Sequence, residues 1–136
     1  MLRIEAKGIS KQDENEKKGK LFEQLCEELL NALGYKITNK NVNYAGMEID
    51  LEGERTLEKI PFICECKGQK TEIGAKEFQA FAGKLSAKQK KNHQTFGIFL
   101  TLSRLNSSAK GFYQDYFAGG NELILLEEPK ILDYLY

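Results

Sequence analysis

Histidine is almost missing from this 136-residue chain, with one copy at His93, and cysteine occurs only three times. No serine has a paired histidine and acid, so a Ser-His-Asp hydrolase is excluded. A zinc centre would need more ligands than one histidine in a polar stretch (Lys90–Gln94) and three thiols supply. The odd cysteine count, with Cys64 and Cys66 alternating in an apolar segment, argues against a disulfide framework and for Cys26, Cys64 and Cys66 as core residues. Charge of one sign is also missing, because 20 basic and 20 acidic residues cancel. No global field draws the chain to nucleic acid or an anionic membrane, and any anionic partner must be held by local charge. Met1–Lys7 has no apolar run that could be a signal or a membrane span, so a cytoplasmic protein with no membrane partner is expected. Internal repeats and low-complexity segments are absent.

What is present reads as one domain. Hydrophobic residues at 41% and charged residues at 29% are an ordinary globular balance, and the length suffices for a core without staples. Residues 1–14 read as a weakly structured lead-in. From about Asn15 to Leu33, Leu21, Phe22, Leu25, Cys26, Leu29, Leu30 and Leu33 recur at helical spacing, and Gly34 stops the helix. Tyr35–Thr38 reads as a short strand, Met47–Glu52 as a strand, Gly53–Thr56 as a turn and Ile60–Lys67 as a strand. A helix follows over Ala75–Lys88 with Phe78, Phe81, Ala82 and Leu85 inward, then a buried strand over Thr95–Leu102. A helix over Asn106–Phe117 capped by Ser107-Ser108, a strand over Glu122–Leu126 and a helical turn opened by Pro129 complete the chain. This order predicts an α/β domain with a mixed central sheet flanked by helices. The apolar ending Leu132–Tyr136 suggests a domain belonging to a longer chain.

Charges inside the apolar strands carry the functional signal. In Ile60–Lys67, side-chain alternation puts Glu65 and Lys67 on one face, and Cys64 and Cys66 on the other with Phe62. Buried charges are costly unless they pair or bind a metal, so this is either a structural ion pair or a reaction centre. Met47–Leu51 repeats the arrangement, with Glu48 and Asp50 on one face and Met47, Ile49 and Leu51 on the other. If the two strands are neighbours, their carboxylates converge beside Lys67. Two carboxylates with waters and phosphate oxygens suit Mg2+, a hard ion that keeps part of its hydration shell. A lysine beside them orients water or stabilises charge at phosphorus. On the first helix Glu23 and Glu28 each border the buried face, at about 200° and 340° from Leu21, and the wheel does not choose between them.

Together Gly19–Glu23, Gly46–Asp50, Cys64–Lys67 and Phe78–Leu85 resemble the PD-(D/E)XK nuclease superfamily, most closely its Mrr-like restriction endonuclease and archaeal Holliday-junction resolvase branches. The resemblance covers roughly Lys17–Phe117 and implies a restriction-endonuclease-like αβββαβ core. It implies that Asp50 and Glu65, with the backbone carbonyl of Cys66, bind the metal. It implies that Lys67 assists the attacking water and that Glu23 completes the acidic shell or holds a second ion. Ile49 stands where the family's name has proline, and Glu48 is a competing acid, although Asp50 fits the family spacing better.

Further candidates are weaker. Lys84, Lys88 and Lys91 share what reads as the outer side of the second helix and are candidates to meet phosphates, although such a stripe is usually a solvated face. Lys17, Lys18 and Lys20 precede Glu23 and suit either the cleft or solubility. Gln69 on the Lys67 face and Gln79 beside the apolar stripe are candidate substrate contacts or a routine polar border. Tyr113 and Tyr116 suit base stacking or helix packing. The expected function is a Mg2+-dependent endonuclease, Mn2+ substituting, with DNA favoured over RNA and a homodimer suited to cutting both strands. The rival is an inactive nuclease-fold module that binds nucleic acid, a nucleotide signal or a protein partner.

Overall fold

Apolar residues at helical spacing build α1 (Lys11–Ala32), which buries Phe22, Cys26, Leu29 and Leu30. Leu33 falls just beyond the helix and is 39% exposed, so the inward stripe ends one turn sooner than the periodicity suggests. The Leu33 N–H closes the helix on the Leu29 carbonyl at 3.0 Å, and Gly34, with φ of 91°, turns the chain into the sheet. The structure, a computed structural model, describes residues 11–135. Residues 1–10 of the expected lead-in lie outside the described residues, while 11–14 form the first turn of α1 instead of a loose segment.

Strand β1 (Tyr35–Tyr44) is far longer than the short strand expected. It pairs antiparallel with β2 (Met47–Arg55) through a two-residue turn, Ala45-Gly46, whose φ values of 51° and 78° are those a tight hairpin requires. The expected turn at Gly53–Thr56 is mostly strand. Gly53 sits between β1 and β3 (Pro61–Lys67), paired with both Ile37 and Phe62. A Cβ there would meet the Lys36 carbonyl and approach the Phe62 ring to 2.7 Å, so this glycine permits close packing instead of marking a turn. The reversal falls after Arg55, whose N–H bonds the Ile60 carbonyl at 2.9 Å.

Helix α2 (Ala75–Lys91) crosses over to β4 (Phe96–Thr101), buried along all six residues as a central parallel strand should be. Then come α3 (Ser107–Tyr116), β5 (Leu123–Leu126) and α4 (Glu128–Leu135). The α3 cap is Asn106, whose Oδ1 accepts the Ala109 N–H at 2.9 Å, and not Ser107-Ser108, which are already helical. The five strands lie in sequence order, with β1, β2 and β3 antiparallel and β3, β4 and β5 parallel. Helices on both faces give the expected α/β architecture, αβββαβ followed by α3, β5 and α4. Alternation along β3 and β4 divides the interior. Phe62, Cys64, Ile98 and Leu100 join Phe22, Cys26 and Leu30 beneath α1, while Ile63 and Phe99 join Phe78, Phe81 and Leu85 beneath α2. Among the described residues no helix is long and apolar enough to cross a membrane.

Candidate active site

The site begins where two paired strands part. The β2–β3 ladder runs from Glu54 opposite Pro61 to Leu51 opposite Cys64 and stops. Just beyond, Cys66 has no partner residue on β2, and its N–H donates to Asp50 Oδ2 at 2.9 Å. A strand residue directs its N–H and C=O to the same side, so the Cys66 carbonyl faces the same gap. Strict alternation fails here, contrary to the sequence reading. Ile49 packs beneath α2 and Leu51 beneath α1, and between their β1 partners Val42 and Lys40 lies Asn41 with φ of 51°. The hairpin is irregular at this point, and Asp50 lies between the divided apolar pair at the fork. Glu48 is exposed, whereas Asp50 is half-buried and hydrogen-bonded, and the Glu48 charge helps to raise the Asp50 carboxyl.

Glu65, one residue before Cys66, is 6% exposed and lies on the α2 face with Ile63 and Lys67. Its Oε1 accepts a hydrogen bond from Lys84 Nζ at 3.0 Å. Burial pushes the Glu65 carboxyl above its ordinary range, and the Lys84 ammonium and then Lys67 oppose that rise while Asp50 adds to it. Burial raises Asp50 as well, against the Cys66 N–H, Lys84 and Lys67. On α1, Glu23 is raised by burial and next by the Asp50 charge, which brings it into the same field. Of the two acids at the border of the buried stripe, Glu23 is half-buried and Glu28 exposed. α1 approaches closely because Gly68 follows Lys67: a Cβ at Gly68 would stand 3.2 Å from Phe22 Cβ. Lys67 is half-buried, acts electrostatically on both acids, and makes no ion pair within the described residues. Behind the fork Cys64 Sγ and Cys66 Sγ are 3.9 Å apart, and hydrogen bonding with Cys26 and Cys64 holds the Cys66 thiol below the ordinary cysteine range.

The lysines of α2 do not form an outer stripe. Lys84 and Lys88 turn toward the sheet, Lys84 to Glu65 and Lys88 to Glu52 at 3.3 Å, while Lys91 is exposed with Nζ 5.0 Å from the Tyr44 ring centre. The signal was in the wheel: with Phe78 at zero, Lys84 falls at about 240° and Lys88 at about 280°, beside Phe81 at about 300° instead of opposite the stripe. Lys84 beside Glu65 is thus a residue of the site that the acid-x-lysine motif does not reveal. Gln69 uses its amide on Thr71, within 3.2 Å of the hydroxyl. Gln79 is exposed on the other flank of α2, lining a groove of about 480 Å³ with Phe112 and Tyr116, away from the carboxylates. Tyr113 packs against Phe78 at 6.2 Å between ring centres, whereas Tyr116 is 69% exposed.

The donor set suits a hard divalent cation. Asp50 and Glu65 offer carboxylate oxygens and the Cys66 carbonyl a third, and among the described residues each carboxylate has one oxygen hydrogen-bonded and one to spare. Burial disfavours the charged form of these carboxylates, and a bound cation would favour it. The same set suits neither a soft ion nor a closed zinc centre.

A mixed five-stranded sheet flanked by helices, in this order, is a restriction-endonuclease-like fold. Within it, the chain belongs to the Mrr_cat restriction endonuclease family, which matches residues 15–135. Among solved structures it is similar to AF1548, described as a protein of unknown function, at 20% identity and a TM-score of 0.64, covering 83% of this chain and 65% of that one. It is also similar to EndoMS in its dsDNA2 complex (16%, 0.61, 95% and 50%) and to a repair endonuclease from Pyrococcus abyssi (15%, 0.59, 91% and 49%). The chain spans less than two thirds of the length of each, and at these identities the likeness is one of fold. No curated protein matches the chain.

Proposed function

We propose that this domain is a Mg2+-dependent endonuclease that hydrolyses phosphodiester bonds in DNA, with Mn2+ able to substitute. The observation that carries the reading is the fork between β2 and β3, where Asp50 and the Cys66 backbone meet beside buried Glu65 and half-buried Lys67. Membership of a restriction endonuclease family supports it. So do the ligands of similar folds: EndoMS is solved with dsDNA and MspJI with a 27-mer oligonucleotide, and AspBHI is a DNA modification-dependent restriction endonuclease. These favour DNA over RNA.

Asp50, Glu65 and the Cys66 carbonyl would hold the ion, and Glu23 would close the acidic shell from α1. The ion, when bound, supplies Lewis-acid stabilisation of charge developing at phosphorus. Lys67 donates to the attacking water, orients it in line with the scissile bond and places positive charge beside the phosphate oxygens. Exposed Lys17, Lys18, Lys20 and Lys91 are the proposed contacts to the nucleic-acid backbone. A homodimer would present two such sites to the two strands of a duplex. The test is cleavage of labelled linear, single-stranded and branched DNAs and an RNA, with Mg2+, with Mn2+ and without metal. Asp50→Ala, Glu65→Ala and Lys67→Ala are each expected to abolish cutting while the circular dichroism spectrum is retained. Undiminished cutting by any two of them overturns the assignment.

A further inference from the structure

The acid-x-lysine run accounts for one lysine at the site, and the structure holds a second. Lys84 comes from α2, nineteen positions after Glu65, and its ammonium reaches Glu65 Oε1 at 3.0 Å with the two side chains only 17% and 8% exposed. The height of α2 over the sheet is fixed by a close approach: a Cβ at Gly97 on β4 would stand 3.0 Å from the Phe81 ring and 3.1 Å from Leu85. Lys84 adjoins Leu85, and from there its stem reaches Glu65 on β3, the strand beside β4. Its charge also acts on Asp50, more strongly than that of Lys67.

We propose that Lys84 is a positioning residue for the nuclease site: by holding Oε1 of Glu65 it presents the other carboxylate oxygen to the gap faced by Asp50 and the Cys66 carbonyl. This rests on the nuclease reading above. It gives the two lysines separate work, Lys67 toward water and phosphate, Lys84 toward the carboxylate that must not rotate. A direct phosphate contact is the competing role. A phosphate would have to strip a largely buried ammonium from a carboxylate before gaining it, which makes that role the costlier one.

Calorimetric titration of the full chain with Mn2+ alone distinguishes these roles, comparing wild type, Lys84→Met, Lys84→Arg and Asp50→Asn, with metal-free binding to a labelled duplex and steady-state kinetics alongside. Lys84→Met is expected to weaken Mn2+ binding by about tenfold, the scale seen when the support of a metal ligand is removed. It should leave metal-free DNA affinity unchanged and lower kcat at saturating Mn2+ with little change in KM. Lys84→Arg is expected to restore most of the Mn2+ affinity, since a guanidinium still reaches a carboxylate. Should Lys84→Met fail to fold, Lys84→Gln is read in its place. Wild-type Mn2+ affinity in the variant, with binding abolished by Asp50→Asn, overturns the positioning role alone. Loss of metal-free DNA affinity also overturns it, in favour of a phosphate contact. No Mn2+ binding by the wild-type chain brings down the nuclease reading and this assignment with it.

Discussion

Two glutamate–lysine pairs stand side by side between the sheet and α2. Glu65–Lys84 and Glu52–Lys88 use lysines one helical turn apart, at 3.0 and 3.3 Å, and all four side chains are at most 19% exposed. Their surroundings differ. Glu52 belongs to the paired part of β2, opposite Ile63, and its lysine lies 4.2 Å from the Tyr44 ring centre. Glu65 lies just past the last residue of β3 paired with β2, within the field of Asp50 and Lys67, and Asp50 in turn acts on Glu23. A half-buried ion pair is thus an ordinary solution to packing a helix on a sheet. The local loss of pairing, which opens a gap and collects several acids around it, makes one of the pairs a candidate reaction centre.

The sharpest way to break this comparison is to delete each glutamate and measure cleavage. Glu65→Ala is expected to reduce DNA cleavage at least about a thousandfold, equivalent to some 4 kcal/mol of lost transition-state stabilisation, whereas Glu52→Ala should keep it within about threefold, less than 1 kcal/mol. Equal losses in a cleavage assay would show that the two pairs are not functionally distinct. Next in size, Lys84→Met and Lys88→Met should separate in Mn2+ affinity, with a loss of about tenfold for the first and none for the second, read by calorimetry.

A third prediction concerns pH. Burial raises the carboxyls of Asp50, Glu65 and Glu23 above their ordinary range. A carboxyl raised by folding holds its proton more tightly in the folded chain, so its stabilising contribution is complete below the unfolded value of about 4 and is lost as pH rises through the folded one. Metal-free wild type should therefore lose this contribution on going from acid to neutral pH. Asp50→Asn should melt at a higher temperature than wild type at neutral pH, with the difference shrinking toward pH 4. A lower melting temperature for the variant at neutral pH would contradict this. The smallest effect belongs to the reference pair: Lys88→Met should change unfolding free energy by about 1 kcal/mol or less in a denaturant titration.

The same contrast explains what the sequence made legible. Glu65 and Lys67 stood out because charges interrupt an apolar run of period two, and β3 keeps that period, so their shared face was readable. Asp50 is readable as a candidate, but its fork is not, because Ile49 and Leu51 look equivalent in sequence and yet join different cores. β1 was read too short because an edge strand needs few apolar residues, and Lys36, Asn39, Lys40, Asn41 and Asn43 carry little periodic signal. Gly53 looked like a turn because glycine marks turns and close approaches alike. Lys84 was placed outward because a lysine stripe normally faces water, whereas a long stem at the border of a buried face can bend back to a carboxylate.

The most direct measurement of the central claim is a crystal structure of the protein soaked in Mn2+, with the ion located by its anomalous signal. The account predicts a peak in the β2–β3 fork, bound through oxygens of Asp50, Glu65 and the Cys66 carbonyl at about 2.2 Å, near the oxygen distances of small hard divalent ions. A fork left empty at saturating Mn2+, or an ion bound only to groups outside it, would contradict the claim.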